Sequence, residues 1–235
     1  HYQPQFNHRQ ELIGVEALVR WQHSQLGLLL PDQFIGLAEQ YHRINEIGSW
    51  VIDSVLSQVA QWHQAGYVLP KVAINISPIQ LLDENFTRVV DQLAERYGIN
   101  PEGIVFEITE SADIEHFNLI STVLRDLKGQ GYRFSLDDFG TGYSSMTHFK
   151  RLPFSQVKID QSFVADIESN ADSLAIAEVV LAMARSLKLE VIAEGVETQS
   201  QLDILDRLGC TGYQGYLFSK PLSVQAITSL LRGAD

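Results

Sequence analysis

Residues 132–145 read YRFSLDDFGTGYSS, and this stretch decides the fold. Tyr132, Phe134 and Leu136 alternate with Arg133 and Ser135, the period-two pattern of a strand. The strand runs into two adjacent carboxylates, Asp137 and Asp138, and Gly140 and Gly142 then end it in a turn. Neighbouring aspartates repel each other and persist as a dianion only where a cation neutralises them or water screens them. Taken alone, the pair also fits a solvated turn that caps a helix, since Asp suits both places. What separates the two readings is whether the same placement recurs along the chain.

It does recur. Working outward, strand patterns fall at 2–6, 12–18, 71–76, 103–108, 156–159, 190–193 and 212–217, which with the opening stretch makes eight. Helical patterns fall at 32–41, 46–65, 114–130, 173–187, 200–208 and 223–232. A further helix is opened by Ser77-Pro78, carries Leu81 through Leu93 and is stopped by Gly98, and a short one holds Met146 and Phe149. Strand and helix in alternation predict an α/β, TIM-like (β/α)8 barrel. Between the first two strands there is room only for a turn around Asn7 to Gln10, whereas a parallel pair needs a dozen or more connecting residues. The first strand is therefore predicted to be antiparallel.

The 235 residues, 45% of them hydrophobic, suffice for one large core, so a single domain over 1–235 is expected. Opening on His1-Tyr2-Gln3-Pro4, already inside a strand pattern, the chain reads as a domain excised from a larger protein. Its formal charge of −12 argues against a basic surface for duplex nucleic acid. No apolar run approaches the ~20 residues of a membrane-spanning helix. Cys210 is the single cysteine, which rules out an intrachain disulfide and suits a reducing, cytoplasmic compartment. Cys210, Trp21 and Trp50 are read as packing residues.

In barrels of this kind the active site lies at the carboxyl ends of the strands. Those ends carry Glu16, Asn75, Glu107, Asp137, Asp138, Lys158 and Glu194, with Gln214 on the last strand. Each has a plainer reading: Glu16 as a solvent-facing strand residue, Asn75 as a turn former, Lys158 as the ion-pair partner of Asp160 or another carboxylate, Gln214 as a partner for backbone groups. Glu107, set among Ile104, Val105, Phe106 and Ile108, needs a partner or a cation because an unpaired buried charge is costly. Taken together, five carboxylates and an amide oxygen are hard ligands without His or Cys, a set that selects Mg²⁺ or Mn²⁺ over Zn²⁺. Five negative charges suit two such ions better than one, with Asp137 bridging and Asp138 leaning to the second ion, the arrangement used for phosphoryl displacement.

At this point the residues resemble a known family. Gln3-Pro4, Glu16-Ala17-Leu18 with Arg20-Trp21, Asn75-Ile76-Ser77, Glu107-Ile108-Thr109-Glu110, Asp137-Asp138-Phe139-Gly140-Thr141-Gly142, Lys158-Ile159-Asp160, Glu194-Gly195-Val196-Glu197 and Gln214-Gly215-Tyr216 follow one another as in the EAL domain, the cyclic di-GMP phosphodiesterase domain of bacterial second-messenger signalling. The likeness covers essentially the whole chain. It implies a barrel with an antiparallel first strand. Glu16, Asn75, Glu107 and Asp137 would hold one metal, and Asp137, Asp138 and Glu194 a second. Lys158 would contact the nucleophilic water, with Glu194 a candidate base. Gln3, Leu18, Arg20 and Gln214 would line the dinucleotide site, with Arg20 on a phosphate, whose oxygens suit its planar fork. Glu110 would anchor the loop from Phe139 to Ser145.

The resemblance further implies hydrolysis of cyclic di-GMP to linear pGpG, a homodimer, and an N-terminal regulatory module of GGDEF or sensor type, with the full-length protein cytoplasmic or anchored at the inner membrane. The alternatives are a catalytically silent cyclic di-GMP receptor and a scaffold that only docks a partner. A receptor of that kind typically lacks a metal ligand, and every such position is filled here. A scaffold would leave so many like charges at strand ends unexplained.

Overall fold

The short link at residues 7–11 sets the topology. Gln10 takes a left-handed conformation, and Asn7 Oδ1 accepts the N–H groups of Arg9 and Glu11, which turns the chain back on itself. The structure, a computed structural model, describes residues 1–109, 116–140 and 151–233. Among these lie strands β1 (Tyr2–Phe6), β2 (Leu12–Ala17), β3 (Trp21–His23), β4 (Gly27–Leu29), β5 (Val72–Asn75), β6 (Ile104–Thr109), β7 (Arg133–Phe139), β8 (Gln156–Ile159), β9 (Glu190–Ala193) and β10 (Gly212–Tyr213). Eight of them close a barrel in the order β1-β10-β9-β8-β7-β6-β5-β2. As expected, β1 runs antiparallel to both of its neighbours, and every other pair in the barrel is parallel.

The reversal of β1 pairs Tyr2 with Ala17 and Gln3 with Glu16, so its first residues lie at the carboxyl rim of the parallel strands. Alternation then sorts the side chains. Ile74, Phe106, Phe134, Val157 and Val191 join the core between barrel and helices. Residues of the opposite parity, including Glu16, Glu107, Ser135 and Lys158, face the barrel axis. The helical side of the core comes chiefly from Ile44–Gln64, Phe86–Tyr97, Phe117–Gly129 and Ala171–Leu187, through buried residues such as Leu56, Val90, Leu124 and Ala184. None of the helices among the described residues is long and apolar enough to cross a membrane.

Several boundaries differ from the sequence reading. The pattern at 32–41 is a 3-10 turn, Pro31–Gln33, followed by a helix at Ile35–Gln40, because Phe34 between them leaves helical geometry. The helix expected after Ser77-Pro78 is likewise a 3-10 turn, Gln80–Leu82, and then Phe86–Tyr97. Asp83 between them is extended, and its carboxylate accepts from Asn85 N. A short helix at Gln161–Ala165, capped by Asp160, and the hairpin β3–β4 were not foreseen. Nor do Trp21 and Trp50 pack as expected: they are 47% and 60% exposed, although Trp21 meets Phe34 edge-to-face. Cys210 is buried, as read. The short helix around Met146 and Phe149 lies outside the described residues.

The last strand is also shorter than 212–217. It ends at Tyr213 because the chain turns at Gly215 to lie against Val196, exchanging Val196 N–H to Gln214 O and Leu217 N–H to Val196 O. A Cβ on Gly215 would fall 2.2 Å from Val196 O and 2.3 Å from Val196 N. Backbone cannot yield there as a side chain can. We therefore expect Gly215→Ala to lower stability by about 3 kcal/mol, read from the urea midpoint. Gly129→Ala, where the added methyl meets nothing within 4 Å, should stay within about 0.5 kcal/mol of the parent. Equal midpoints for the two variants would show that the crossing does not constrain residue 215.

Candidate active site

Lys158 stands at the centre of the barrel mouth with 1% of its side chain exposed. Its Nζ lies 2.7 Å from Glu194 Oε1, 2.9 Å from Glu107 Oε2, and 3.2 Å from both Glu16 Oε2 and Asp137 Oδ1. The ion-pair reading of Lys158 is thus correct in kind, but Asp160 is not among these partners; its carboxylate caps the helix at Gln161–Ala165. Glu16, Glu107 and Asp137 are buried, so the solvent-facing reading of Glu16 fails.

Strand register supplies most of this convergence. Glu107 lies beside Asn75 on one side and Ser135 on the other, and Asn75 Nδ2 donates to Glu16 Oε1 at 2.7 Å. Asp138 needs a different device, because in a regular strand adjacent side chains point to opposite faces. Between Leu136 and Phe139 the pairing of β7 with β8 slips by one residue, and Asp138 has φ 54°, a left-handed conformation that Asp tolerates better than most residues. This bulge brings the two aspartates to one rim. Asp137, Asp138 and Glu194 can each offer an oxygen so that all three lie within 4.8 Å of one another.

The plainer reading of Gln214, as a partner for backbone groups, does not hold, because its amide binds side chains. Its Nε2 donates to Glu16 Oε2 at 2.8 Å and to Glu194 Oε1 at 2.7 Å, and its Oε1 accepts from Gln5 Nε2 at 3.0 Å. Gln5 was not singled out from the sequence. Its signal was present, since Gln3 and Gln5 share one face of a short strand and both prove buried.

One ammonium cannot balance five carboxylates. Burial pushes Glu107 well above the usual carboxylate range, reinforced by Glu16 and Asp137 against the pull of Lys158. Burial raises Asp137 as well, and lifts Glu194 to about 8. Asp138 rises to about 6 through burial, then through the charges of Asp137 and Asp160. Glu16 moves the other way: burial would raise it, but Lys158 and the donors on Gln214 and Asn75 outweigh that and lower it. The ring of carboxylates raises Lys158 well above an ordinary lysine, although burial opposes this.

The donor set fits a divalent cation. It is all oxygen and strongly anionic, as hard cations require. Glu107 Oε1 is buried with no hydrogen-bond partner among the described residues. Once the carboxyl ionises, such an unpaired oxygen is expensive unless a cation completes it.

The residues expected to contact a ligand are spread around the mouth. Leu18 shares a cleft of about 440 Å³ with Asn75, Ser77, Thr109, Asp137 and Asp138. Arg20 lines an adjoining groove with Trp21, Phe34 and Trp50, and its Nη1 donates to Val19 O. Gln3 is buried at the rim, where its Nε2 donates to Ser219 O at 3.0 Å. Glu110 and the loop from Thr141 to Ser145 lie outside the described residues.

Comparisons with known proteins place the chain in a family. A family model described as the EAL domain matches residues 1–221. The chain is 38% identical over 228 residues to the bifunctional diguanylate cyclase/cyclic di-GMP phosphodiesterase MucR of Pseudomonas aeruginosa, with 97% of this chain aligned and 33% of that protein. It is 40% identical over 226 residues to the cyclic di-GMP phosphodiesterase PdeR of Escherichia coli, with 96% of this chain aligned and 34% of that protein. The chain therefore spans about a third of the length of these relatives. The solved phosphodiesterase of P. aeruginosa MucR, a c-di-GMP complex, superposes with a TM-score of 0.92 over 97% of this chain and 92% of that one, at 38% identity. The EAL domain of Mycobacterium smegmatis DcpA superposes with a TM-score of 0.83 over 100% and 95%, at 31% identity.

The raised carboxylates carry a pH dependence. With a folded value of about 8 against 4.5 unfolded, the native Glu194 holds its proton where the unfolded chain has lost it. The site's contribution to stability therefore falls as pH rises through that interval, and Asp138 adds to the fall up to about 6. Lys158, raised above 10.5, contributes fully throughout the window. In EDTA the melting temperature should drop between pH 5 and pH 8, and Glu194→Gln should flatten that drop. A slope unchanged by the substitution would remove Glu194 from the balance.

Proposed function

The chain belongs to the EAL domain family, and from that premise we propose that it is a metal-dependent hydrolase that opens cyclic di-GMP to linear pGpG. The observation that carries this reading is the intact ring around Lys158, with its four carboxylates in place, Asp138 close to Asp137 and Glu194, and Glu107 Oε1 left to a cation. A silent receptor needs no such ring, and the burial of so much like charge would only weaken it.

In this reading Glu16, Asn75, Glu107 and Asp137 hold one Mg²⁺ or Mn²⁺, and Asp137, Asp138 and Glu194 hold a second. When bound, such ions lower the pKa of water and offset charge on phosphoryl oxygens. The protein's own groups do the rest. Lys158 would contact the attacking water and steady charge developing at phosphorus, once ions draw some of its carboxylate partners away. Glu194 accepts the proton of that water as the new oxygen–phosphorus bond forms. The bond to the 3′-oxygen breaks, and that oxygen takes up a proton from solvent, which balances the one that Glu194 has accepted and later releases. Arg20 grips a phosphate, while Gln3, Leu18 and Gln214 position the dinucleotide. Glu110 anchors the loop from Phe139 to Ser145.

The length of the relatives supports placing residues 1–235 as one domain of a longer protein; a regulatory module of GGDEF or sensor type ahead of it is part of the proposal. A homodimer belongs to the same proposal, as does a cytoplasmic site of action, where guanine nucleotides are made.

The test is incubation with cyclic di-GMP and Mg²⁺ or Mn²⁺, with products separated by chromatography and EDTA as control. Formation of pGpG that EDTA abolishes is expected. Intact cyclic di-GMP with binding retained would instead favour the receptor. Glu16→Ala and Asp137→Asn should each lower turnover by ~10²-fold or more. Near-parental rates in either variant would overturn the metal assignment. Glu110→Ala should also lose most activity, and a fully active variant would exclude Glu110 from the mechanism.

A further inference from the structure

Gln214 holds two of the proposed metal ligands at once. Its amide spends both Nε2 protons on Glu16 Oε2 and Glu194 Oε1. An amide has a second orientation, reached by half a turn about its terminal torsion, and that torsion is soft. Turned over, Gln214 would set its carbonyl oxygen against both carboxylates, and neither would then receive a proton. Whatever fixes the amide therefore also fixes Glu16 and Glu194.

The group that can fix it is Gln5. Gln214 Oε1 is an acceptor only, and it receives Gln5 Nε2 at 3.0 Å in a buried contact. The fold gives Gln5 this reach through two features. Because β1 is reversed, it lies between β2 and β10, next to Gly14 and one residue from the partner of Tyr213. Gly14, directly opposite, has no side chain: a Cβ there would meet Gln5 Oε1 at 3.0 Å. The bare backbone leaves space for the Gln5 amide to turn its nitrogen toward Gln214.

We propose that Gln5 is a positioning residue for the phosphodiester cleavage: by donating to Gln214 Oε1 it sets the amide in the orientation that aims Glu16 and Glu194 at the divalent ions. It touches neither substrate nor ion and acts only through Gln214. The inference rests on the reading of the site as a metal-dependent phosphodiesterase.

Partners one step behind a metal ligand typically alter metal affinity or activity by 10–100-fold when removed, and Gln5 is a step further back. Gln5→Met keeps the side-chain length and removes the donor. Mn²⁺ binding without nucleotide, followed by the loss of the free-ion paramagnetic resonance signal, should weaken about tenfold. The value of kcat should fall by a similar factor, while KM for cyclic di-GMP moves less than threefold. In the Gln214→Met background, Gln5→Met should add nothing. Additive losses, or parental Mn²⁺ binding by Gln5→Met, would overturn the proposal. A purely structural role would lower the melting temperature and leave Mn²⁺ affinity untouched, which also overturns it. If Gln5→Met does not fold, Gln5→Glu at pH 8, equal in size with an acceptor where the donor stood, goes through the same cycle and should lose at least as much affinity. If the parent binds Mn²⁺ yet leaves cyclic di-GMP intact, the enzymatic reading falls while the binding cycle still judges Gln5. A parent that binds no Mn²⁺ overturns both.

Discussion

The structure depends on one ammonium group held by four carboxylates inside a barrel. Removing so many charges from water costs several kcal/mol for each ion, and the mutual attraction returns that cost only with close geometry. Lys158 meets the condition, with all four contacts between 2.7 and 3.2 Å. The scaffold can bear the expense because the apolar work is done elsewhere, by the outward-facing residues of the same strands packed on the helices. Alternation along each strand thus keeps the two jobs apart. One face of β6 stabilises the fold through Phe106 and Ile108, and the other presents Glu107 to the site.

A cluster with more negative than positive charge must find its balance somewhere. Without metal it does so with protons, which is why burial raises Glu107, Asp137 and Glu194 while Glu16, better supplied with donors, stays ionised. Divalent ions would displace those protons, so metal affinity and pH are coupled at this site. The same environment makes the carboxylates unequal before any ligand arrives, and inequality among similar groups lets one accept a proton while another stays charged.

Much of this was legible in the residues. Period-two alternation and acidic strand ends located β6, β7 and β9, and a five-residue gap showed that β1 had to turn back. The metal-ligand candidates required only that strands be placed in order. The rest was hidden because it depends on partners distant in sequence or on backbone angles. Lys158 reads as the partner of Asp160 or another carboxylate, and which carboxylates it meets could not be read locally, since one of them, Glu16, lies 142 positions away. That Gln214 joins two carboxylates was hidden, because nothing local announces them. Asp83 and Phe34 interrupt helical runs whose hydrophobic spacing is unbroken, so periodicity read straight through them. Trp21 and Trp50 were taken for core residues by their chemistry alone, and their exposure shows how weak that inference is.

The slip in β7 has a consequence for how such a domain changes over generations. Two adjacent aspartates face one way only because the strand carries a single surplus residue against β8. Deleting one residue there would restore an unbroken ladder and leave the hydrophobic interior as it was. The healed strand would turn one aspartate away from the rim, and any cation held there would lose a ligand without any acidic residue being mutated elsewhere. A lineage can therefore trade catalysis for mere recognition by a change in length, one that a comparison of residue identities would register only as a gap.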